Sequence, residues 1–322
     1  MTDSQYMNEN NFPSWDTAAA AEKGSKGMYG PRIVRADVYS SNNRIFAAGG
    51  YVTETGKVVT LPGADDPMLS GTKVYSEAFS LSPADGREDT VTACVNDDCL
   101  RVAHGMLGRG LNPAVLNLAD AYTACGGYYK GSGAQEESLC RASTLSRSLY
   151  SHYKKNRAET VSAPFLGSAY PMDMHWGGIY SPWVTVFREG GELWHRLLEE
   201  PYEVGVVSVA ALDFNEKHGK NLEYRAPDGG FTPDGLAIMQ DKIRTIYRIA
   251  LSNRHDSVVL GAFGCGAFRL PSEVVAGLFR DILGEEEFAG RFKEVRFAIL
   301  EKGRPSQTGP NGKFAPFYRI FG

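Results

Sequence analysis

NLADAYTACGGYYKGSGAQEE, residues 117–137, is the stretch where an apolar run stops, a glycine-rich segment follows and a helical pattern begins. The run Ala114 to Leu118 reads as a buried strand, and the helical pattern restarts at Gln135. Between them lie Gly126, Gly127, Gly131 and Gly133. Glycines at such a junction let the backbone come close to a ligand and present its N–H groups in a row, which suits an anion such as a pyrophosphate. Glu136 and Glu137 then fall in the first turn of the next helix. Each part has a plain structural reading. Glycine loops are common, and acidic residues at a helix start gain about 0.3–1 kcal/mol from the helix dipole. The combination is rarer than its parts and points to bond cleavage in a phosphorylated sugar.

A second junction of the same kind follows downstream. Asp256-Ser257-Val258-Val259-Leu260 is an apolar strand, then comes Gly261-Ala262-Phe263-Gly264-Cys265-Gly266-Ala267-Phe268, and a helix is expected from about Pro271. Outward from these two loops, residue period and punctuation predict further elements. They are a strand over Ile33–Tyr39, a hairpin over Gly50–Pro62 turning at Glu54–Lys57, and strands at Lys73–Leu81 and Thr90–Val95. Asp97 or Asp98 caps a helix running to about Leu107. A helix is expected over 135–150, a long loop over 151–178, and strands over 179–187 and 204–211. The last units are a helix from Thr232 or Pro233 to Arg254, a helix over 271–283, a short one near 285–292 and a strand over 294–300. Strand and helix alternate from residue 90 to 300, which predicts an α/β three-layer sandwich with a mixed sheet. The expected organisation is a poorly ordered tail over 1–30, an accessory segment over 31–90 packed on the core, and a catalytic domain over 91–322.

Composition limits the function. The chain has 322 residues, net charge −4 and a pI near 5.9, so it lacks the basic footprint of a direct nucleic-acid binder. Five cysteines, at 94, 99, 125, 140 and 265, form neither a disulfide framework nor a metal-ligand pattern, and no metal or cofactor is expected. The start, Met1 to Phe12, lacks an apolar core, so no signal peptide is expected, and no run approaches the ~20 residues of a membrane span. A reducing intracellular compartment, cytoplasm or nucleus, is the expectation.

The chain resembles the bacterial-type poly(ADP-ribose) glycohydrolases. The signature is a glycine run followed, after seven residues, by Gln135-Glu136-Glu137, with Ser138-Leu139-Cys140-Arg141-Ala142-Ser143-Thr144-Leu145 as its continuation. Residues 180–188 and 202–211 are also similar, and the likeness runs from about Val91 to about Leu300. One position departs from it: Cys125 stands where the family carries glycine. The resemblance implies a macrodomain-like fold in which the second loop, with Gly264, Cys265, Gly266 and Phe268, closes over the diphosphate opposite the first.

It also implies the chemistry. Splitting a ribose–ribose O-glycosidic bond passes through an oxocarbenium-like state, with a proton delivered to the departing oxygen and a water activated afterwards. Adjacent helix residues point about 100° apart, so Glu136 and Glu137 do not readily flank one bond as an acid–base pair. By the resemblance Glu137 is the general acid then base, Glu136 the ribose anchor, and Gln135, Cys125, Gly126 and Gly127 line the substrate. Cys265 between two glycines is read as small-residue packing in preference to a nucleophile. Phe268 and Tyr128 are placed either to cover the ligand or to fill the core, and Asp120 either to contact ribose hydroxyls or to make a turn.

The implied activity is hydrolysis of poly(ADP-ribose) from chain ends, releasing ADP-ribose, with ADP-ribosylated proteins as substrates. Two alternatives stand beside it: a hydrolase of another ADP-ribosyl linkage, to protein or nucleic acid, and a catalytically silent ADP-ribose-binding module. If Cys125 requires a positive φ, it carries strain on the order of 1 kcal/mol.

Overall fold

The structure, a computed structural model, describes residues 12–27, 30–63, 65–82, 89–154, 163–301 and 312–322. Its centre is a seven-stranded mixed sheet flanked by helices. In chain order the strands of this sheet are β3 (Lys73–Tyr75), β4 (Val91–Val95), β5 (Pro113–Ala119), β6 (Gly178–Arg188), β7 (Leu197–Ala210), β8 (Ser257–Leu260) and β9 (Glu294–Ala298). Across the sheet they run β3-β6-β7-β5-β8-β9-β4. β5 pairs in parallel with β7 and β8, and β9 in parallel with β8 and β4, while β3 is antiparallel to β6. The inner parallel strands β5 and β8 are apolar almost throughout because both their faces are covered. Six of the seven residues of β5 are buried, and all four of β8.

The chain gathers into two compact units. The first comprises Met1–Thr72, Thr123–Tyr170 and Ser181–Glu203; the second comprises Lys73–Tyr122, Pro171–Tyr180 and Val204–Gly322. These units are discontinuous in sequence and do not follow the boundaries expected at residues 30 and 90. β6 and β7 each contribute one part to either unit.

The first unit holds α1 (Thr17–Gly24), α2 (Gly30–Ala48), the hairpin of β1 (Gly50–Val52) and β2 (Val58–Thr60), α3 (Pro67–Gly71), α5 (Gln135–Ala142) and α6 (Leu145–Tyr150). Its apolar cluster joins Ile45, Tyr51, Val59, Leu61, Phe187 and Leu197. The second unit holds α4 (Cys99–Leu107), α7 (Pro233–Ser252), α8 (Ser272–Leu283) and α9 (Phe314–Phe321). Its core packs Ile243, Ile246 and Tyr247 of α7 and Phe279 of α8 with Val258, Leu260 and Phe297 of the sheet.

Several expected elements form as read. The hairpin turns at Gly56 with φ +87°, Asp98 caps α4 by accepting from Leu100 and Arg101 N–H groups, and Thr232 caps α7. Others differ. The strand expected over Ile33–Tyr39 is part of α2, whose buried residues Val34, Val38, Ser41, Asn42 and Ile45 follow a helical period. Two of those five are polar, which hides the apolar stripe from a reading by hydrophobicity. The tail expected to be poorly ordered to residue 30 overlaps α1, held by an Asp16 cap; residues 1–11 and 28–29 of it lie outside the described residues.

The single helix expected over 135–150 is two. Ser143 is extended and bridges Val186, and Thr144 exchanges bonds with the Thr185 backbone, 3.0 Å each way. These sheet-like bonds interrupt the helix. Only Lys73–Tyr75 of the strand expected over Lys73–Leu81 forms, and the region near 285–292 is a series of turns that buries Phe288 and Phe292. Of the long loop expected over 151–178, residues 155–162 lie outside the described residues, and the rest carries no helix or strand before β6.

Candidate active site

In the first unit, the loop after β5 folds back on the start of α5. Residues Tyr128–Lys130 make one 3-10 turn, closed by Gly131 at φ +71°. Glu136 and Glu137 are both buried, at 3% and 7% exposure. The Gly127 N–H donates to Oε1 of Glu137 at 2.9 Å, and Oε2 of Glu137 is buried with no partner among the described residues. A Cβ built on Gly126 would lie 2.7 Å from Glu137 Oε1 and 3.3 Å from Glu136 Oε2. The two carboxylates therefore meet at this glycine, although they are adjacent on the helix. Gly126 has φ +50°, so both its conformation and its missing side chain are required there. A Cβ on Gly127 would lie 2.2 Å from Ser132 Oγ.

The first loop is not the row of free N–H groups that its glycines led us to expect. The Gly126, Tyr128, Lys130, Gly131 and Ser132 N–H groups bond to carbonyls within the loop, and that of Gly127 to Glu137. The glycines serve close approach to the carboxylates instead. Cys125 takes φ +60°, so the non-glycine residue does sit in a left-handed conformation. Its thiol is fully buried and hydrogen-bonded with that of Cys140, and burial pushes it well above the usual thiol range. Tyr128 is a correction: its side chain is fully buried, stacked edge-on against Tyr39, and its hydroxyl accepts from Asn42 at 2.8 Å. The ring belongs to the core and has no surface for a ligand.

Behind this loop lies a buried polar network that sequence reading missed. Asn42 of α2 donates to the Tyr128 hydroxyl and to the Arg141 carbonyl, and its Oδ1 accepts from Arg188 Nε at 2.7 Å. Arg188 also donates to the His195 carbonyl and Ser41 Oγ, both at 2.8 Å. Arg141, one turn beyond Glu137, is fully buried, and burial pushes its guanidinium down to about 10. The i+4 spacing from Glu137 could have singled out Arg141, which interacts with that carboxylate electrostatically without an ion pair to it among the described residues. Asn42 and Ser41 were not, because their segment was read without its helix.

In the second unit, the loop after β8 is the one that leaves backbone N–H groups open. Among the described residues, the N–H groups of Gly264, Gly266, Ala267 and Phe268 have no hydrogen-bond acceptor, and three of these four are consecutive. Gly264 has φ +73°, and a Cβ there would lie 2.4 Å from Leu270. Gly266 is exposed with open space around it. Cys265 is buried, donates to the Phe263 carbonyl at 3.4 Å, and is pushed up to about 12 by burial, so it is a neutral packing thiol.

Phe268 is half-buried, with its ring edge-on to His218 and its carbonyl accepting from Phe214 N–H at 2.8 Å. Asp120 accepts from Tyr122 N–H at 2.7 Å, closing an Asx turn at the end of β5. Gln135 is half-buried at the start of α5 in the first unit. An open surface hollow of about 690 Å³ bounded by Lys57, Thr185, Glu199 and Glu203 includes none of the candidate residues.

Comparison with known proteins finds one family and several solved structures. The family described as microbial-type PARG, catalytic domain, matches residues 40–189. No curated protein matches the sequence. The crystal structure of poly(ADP-ribose) glycohydrolase (PARG) from Thermomonospora curvata is 27% identical with a TM-score of 0.69, covering 91% of this chain and 100% of that one. The same enzyme bound to the inhibitor ADP-HPD is 28% identical with a TM-score of 0.68. PARG from Deinococcus radiodurans in complex with ADP-ribose is 26% identical with a TM-score of 0.61, covering 81% of this chain and 98% of that one. The fold is thus macrodomain-like, and over residues 40–189 the chain resembles the catalytic domain of the microbial-type poly(ADP-ribose) glycohydrolases.

Proposed function

We propose that this protein is a glycosidase that hydrolyses the ribose–ribose O-glycosidic bonds of poly(ADP-ribose), working from chain ends and releasing ADP-ribose. The observation that carries the role of Glu137 is the asymmetry of its carboxylate. One oxygen is fixed by the Gly127 N–H, and the other is buried with no partner among the described residues. In this reading Oε2 gives its proton to the departing ribose oxygen as the oxocarbenium-like state forms, then takes one from the attacking water. Glu136, converging on the same glycine, anchors ribose hydroxyls. Gln135 and the edge of the first loop at Cys125, Gly126 and Gly127 bound the sugar, while Tyr128 acts only as their buried support.

The open N–H groups of Gly264, Gly266, Ala267 and Phe268 support the second loop as the diphosphate holder, since oriented backbone donors bind phosphate without a formal charge. Phe268 offers its half-buried ring to the ligand.

The test is incubation of native protein and Glu137→Gln with labelled poly(ADP-ribose) and with mono-ADP-ribosylated protein. Native protein is expected to free ADP-ribose from the polymer, and the variant to be slower by roughly 10²–10⁴-fold while still binding ADP-ribose. An unchanged rate in Glu137→Gln overturns the assignment. Release from the mono-modified protein alone moves the activity to another linkage, and short oligomers as first products overturn the chain-end preference.

A further inference from the structure

We propose that Arg35 is a substrate-contacting residue whose guanidinium holds a phosphate of the ADP-ribosyl chain close to Glu137. This rests on the glycohydrolase reading above and concerns a residue outside it, since Arg35 precedes the residues that the family matches.

α2 lies directly under the first loop. Arg32 Nε donates to the Lys130 carbonyl at 3.0 Å, and Arg35 Nε to the Gly131 carbonyl at 2.8 Å. A Cβ on Gly131 would lie 2.2 Å from the Arg32 carbonyl, so no larger residue fits there. For Arg35 that single bond fixes the guanidinium and leaves both Nη1 and Nη2 without a hydrogen-bond partner among the described residues. The free end of the fork lies at Gly133, where a Cβ would sit 3.3 and 3.4 Å from Nη2 and Nη1. Gly133 is exposed and Arg35 only half-buried, so this end is open to a ligand.

Charge points the same way. Arg35 interacts favourably with Glu137, yet burial and the neighbouring Arg32 both work against its positive form. It has no ion pair among the described residues. Lys130, exposed on the same loop, adds a third cation. In a chain of net charge −4, a local group of cations with an open donor fork is offset most directly by an anion. Two parallel N–H donors in one plane match the oxygens of a phosphate. A residue that only clamped the loop would need Nε alone.

The experiment compares native protein with Arg35→Gln and Arg35→Lys. Initial rates are taken against polymer concentration at low and high salt, and calorimetry gives Kd for free ADP-ribose. Arg35→Gln is expected to raise KM for the polymer about tenfold or more, leave kcat within about twofold, and make KM less dependent on salt. Arg35→Lys recovers part of the loss, because it restores charge without the fork. A parallel rise in the ADP-ribose Kd assigns the phosphate to the released unit, and an unchanged Kd to the chain left behind; both support the proposal. A fall in kcat with KM unchanged, or no change in either, overturns it. Should native protein release nothing from polymer, the glycohydrolase reading fails first, and polymer binding by fluorescence anisotropy becomes the readout. About tenfold weaker binding by Arg35→Gln still supports the contact, and equal binding overturns it.

Discussion

At the scale of single residues, Gly126 and Cys125 show two different demands in one turn. Gly126 is closed to any side chain, since a Cβ would press on Glu137 Oε1 and Glu136 Oε2 while φ stays at +50°. Gly126→Ala is therefore expected to cost about 1–3 kcal/mol of stability. It should also lower the rate of ADP-ribose release by about 100-fold or more, because either carboxylate must move. Denaturant unfolding and initial rates check both. Cys125, at φ +60°, tolerates a Cβ because its small thiol finds Cys140 in a fully buried pocket. Cys125→Gly trades about 1 kcal/mol of backbone relief against a similar loss of packing, so stability should stay within about 1 kcal/mol. Cys125→Val puts a branched side chain into the same left-handed position and should destabilise by about 2 kcal/mol or more in the same assay. The departure from the family's glycine is thus compatible with a competent loop.

At the scale of elements, α2 matters beyond its own helix. Asn42 bonds Tyr128, Arg141 and Arg188, which come from the first loop, α5 and β6 respectively. Removing it leaves several buried groups unpaired, including a charged one, and an unpaired buried group costs far more than a made bond gains. Asn42→Ala is expected to lower the unfolding free energy by about 2–4 kcal/mol, measured by urea titration, with ADP-ribose release falling alongside. Asn42→Leu, similar in size, should do no better, because it supplies no donor or acceptor. The division of α5 from α6 has the same logic. Ser143 and Thr144 exchange helical bonds for bonds to β6, which fixes the end of the helix that carries Glu136 and Glu137.

At the scale of the whole molecule, stability should depend on pH through His195. Burial first, then the charges of Arg141 and Arg188, push its imidazole down to about 3. The ordinary value is near 6.5, so between these limits the unfolded chain binds a proton that the folded protein refuses. The stabilisation is complete above about pH 6.5 and is lost as the pH falls toward 3. The shift corresponds to roughly 5 kcal/mol over that range. Unfolding free energies measured by denaturant between about pH 7 and pH 4 should fall with acid in native protein, and more gently in His195→Gln.

What the sequence determined by itself was local and chemical. The inner parallel strands were legible from continuous apolar runs, the loops from glycine clusters, α4 and α7 from their caps, and the helix-start carboxylates from the Gln135-Glu136-Glu137 motif. Such signals survive in one dimension because period, left-handed turns and capping are set by near neighbours. The tertiary structure decided the rest. It made a helix of residues 30–48, where buried Ser41 and Asn42 replace the apolar stripe, and it split the helix after Ala142. It turned two adjacent carboxylates onto one glycine, and it engaged the first loop's N–H groups internally while those of the second stayed open. The Asn42–Arg188 bond joins residues 146 positions apart. A buried polar group is stable only when its distant partner is present, so its reason lies in the packed molecule and not in its neighbours along the chain.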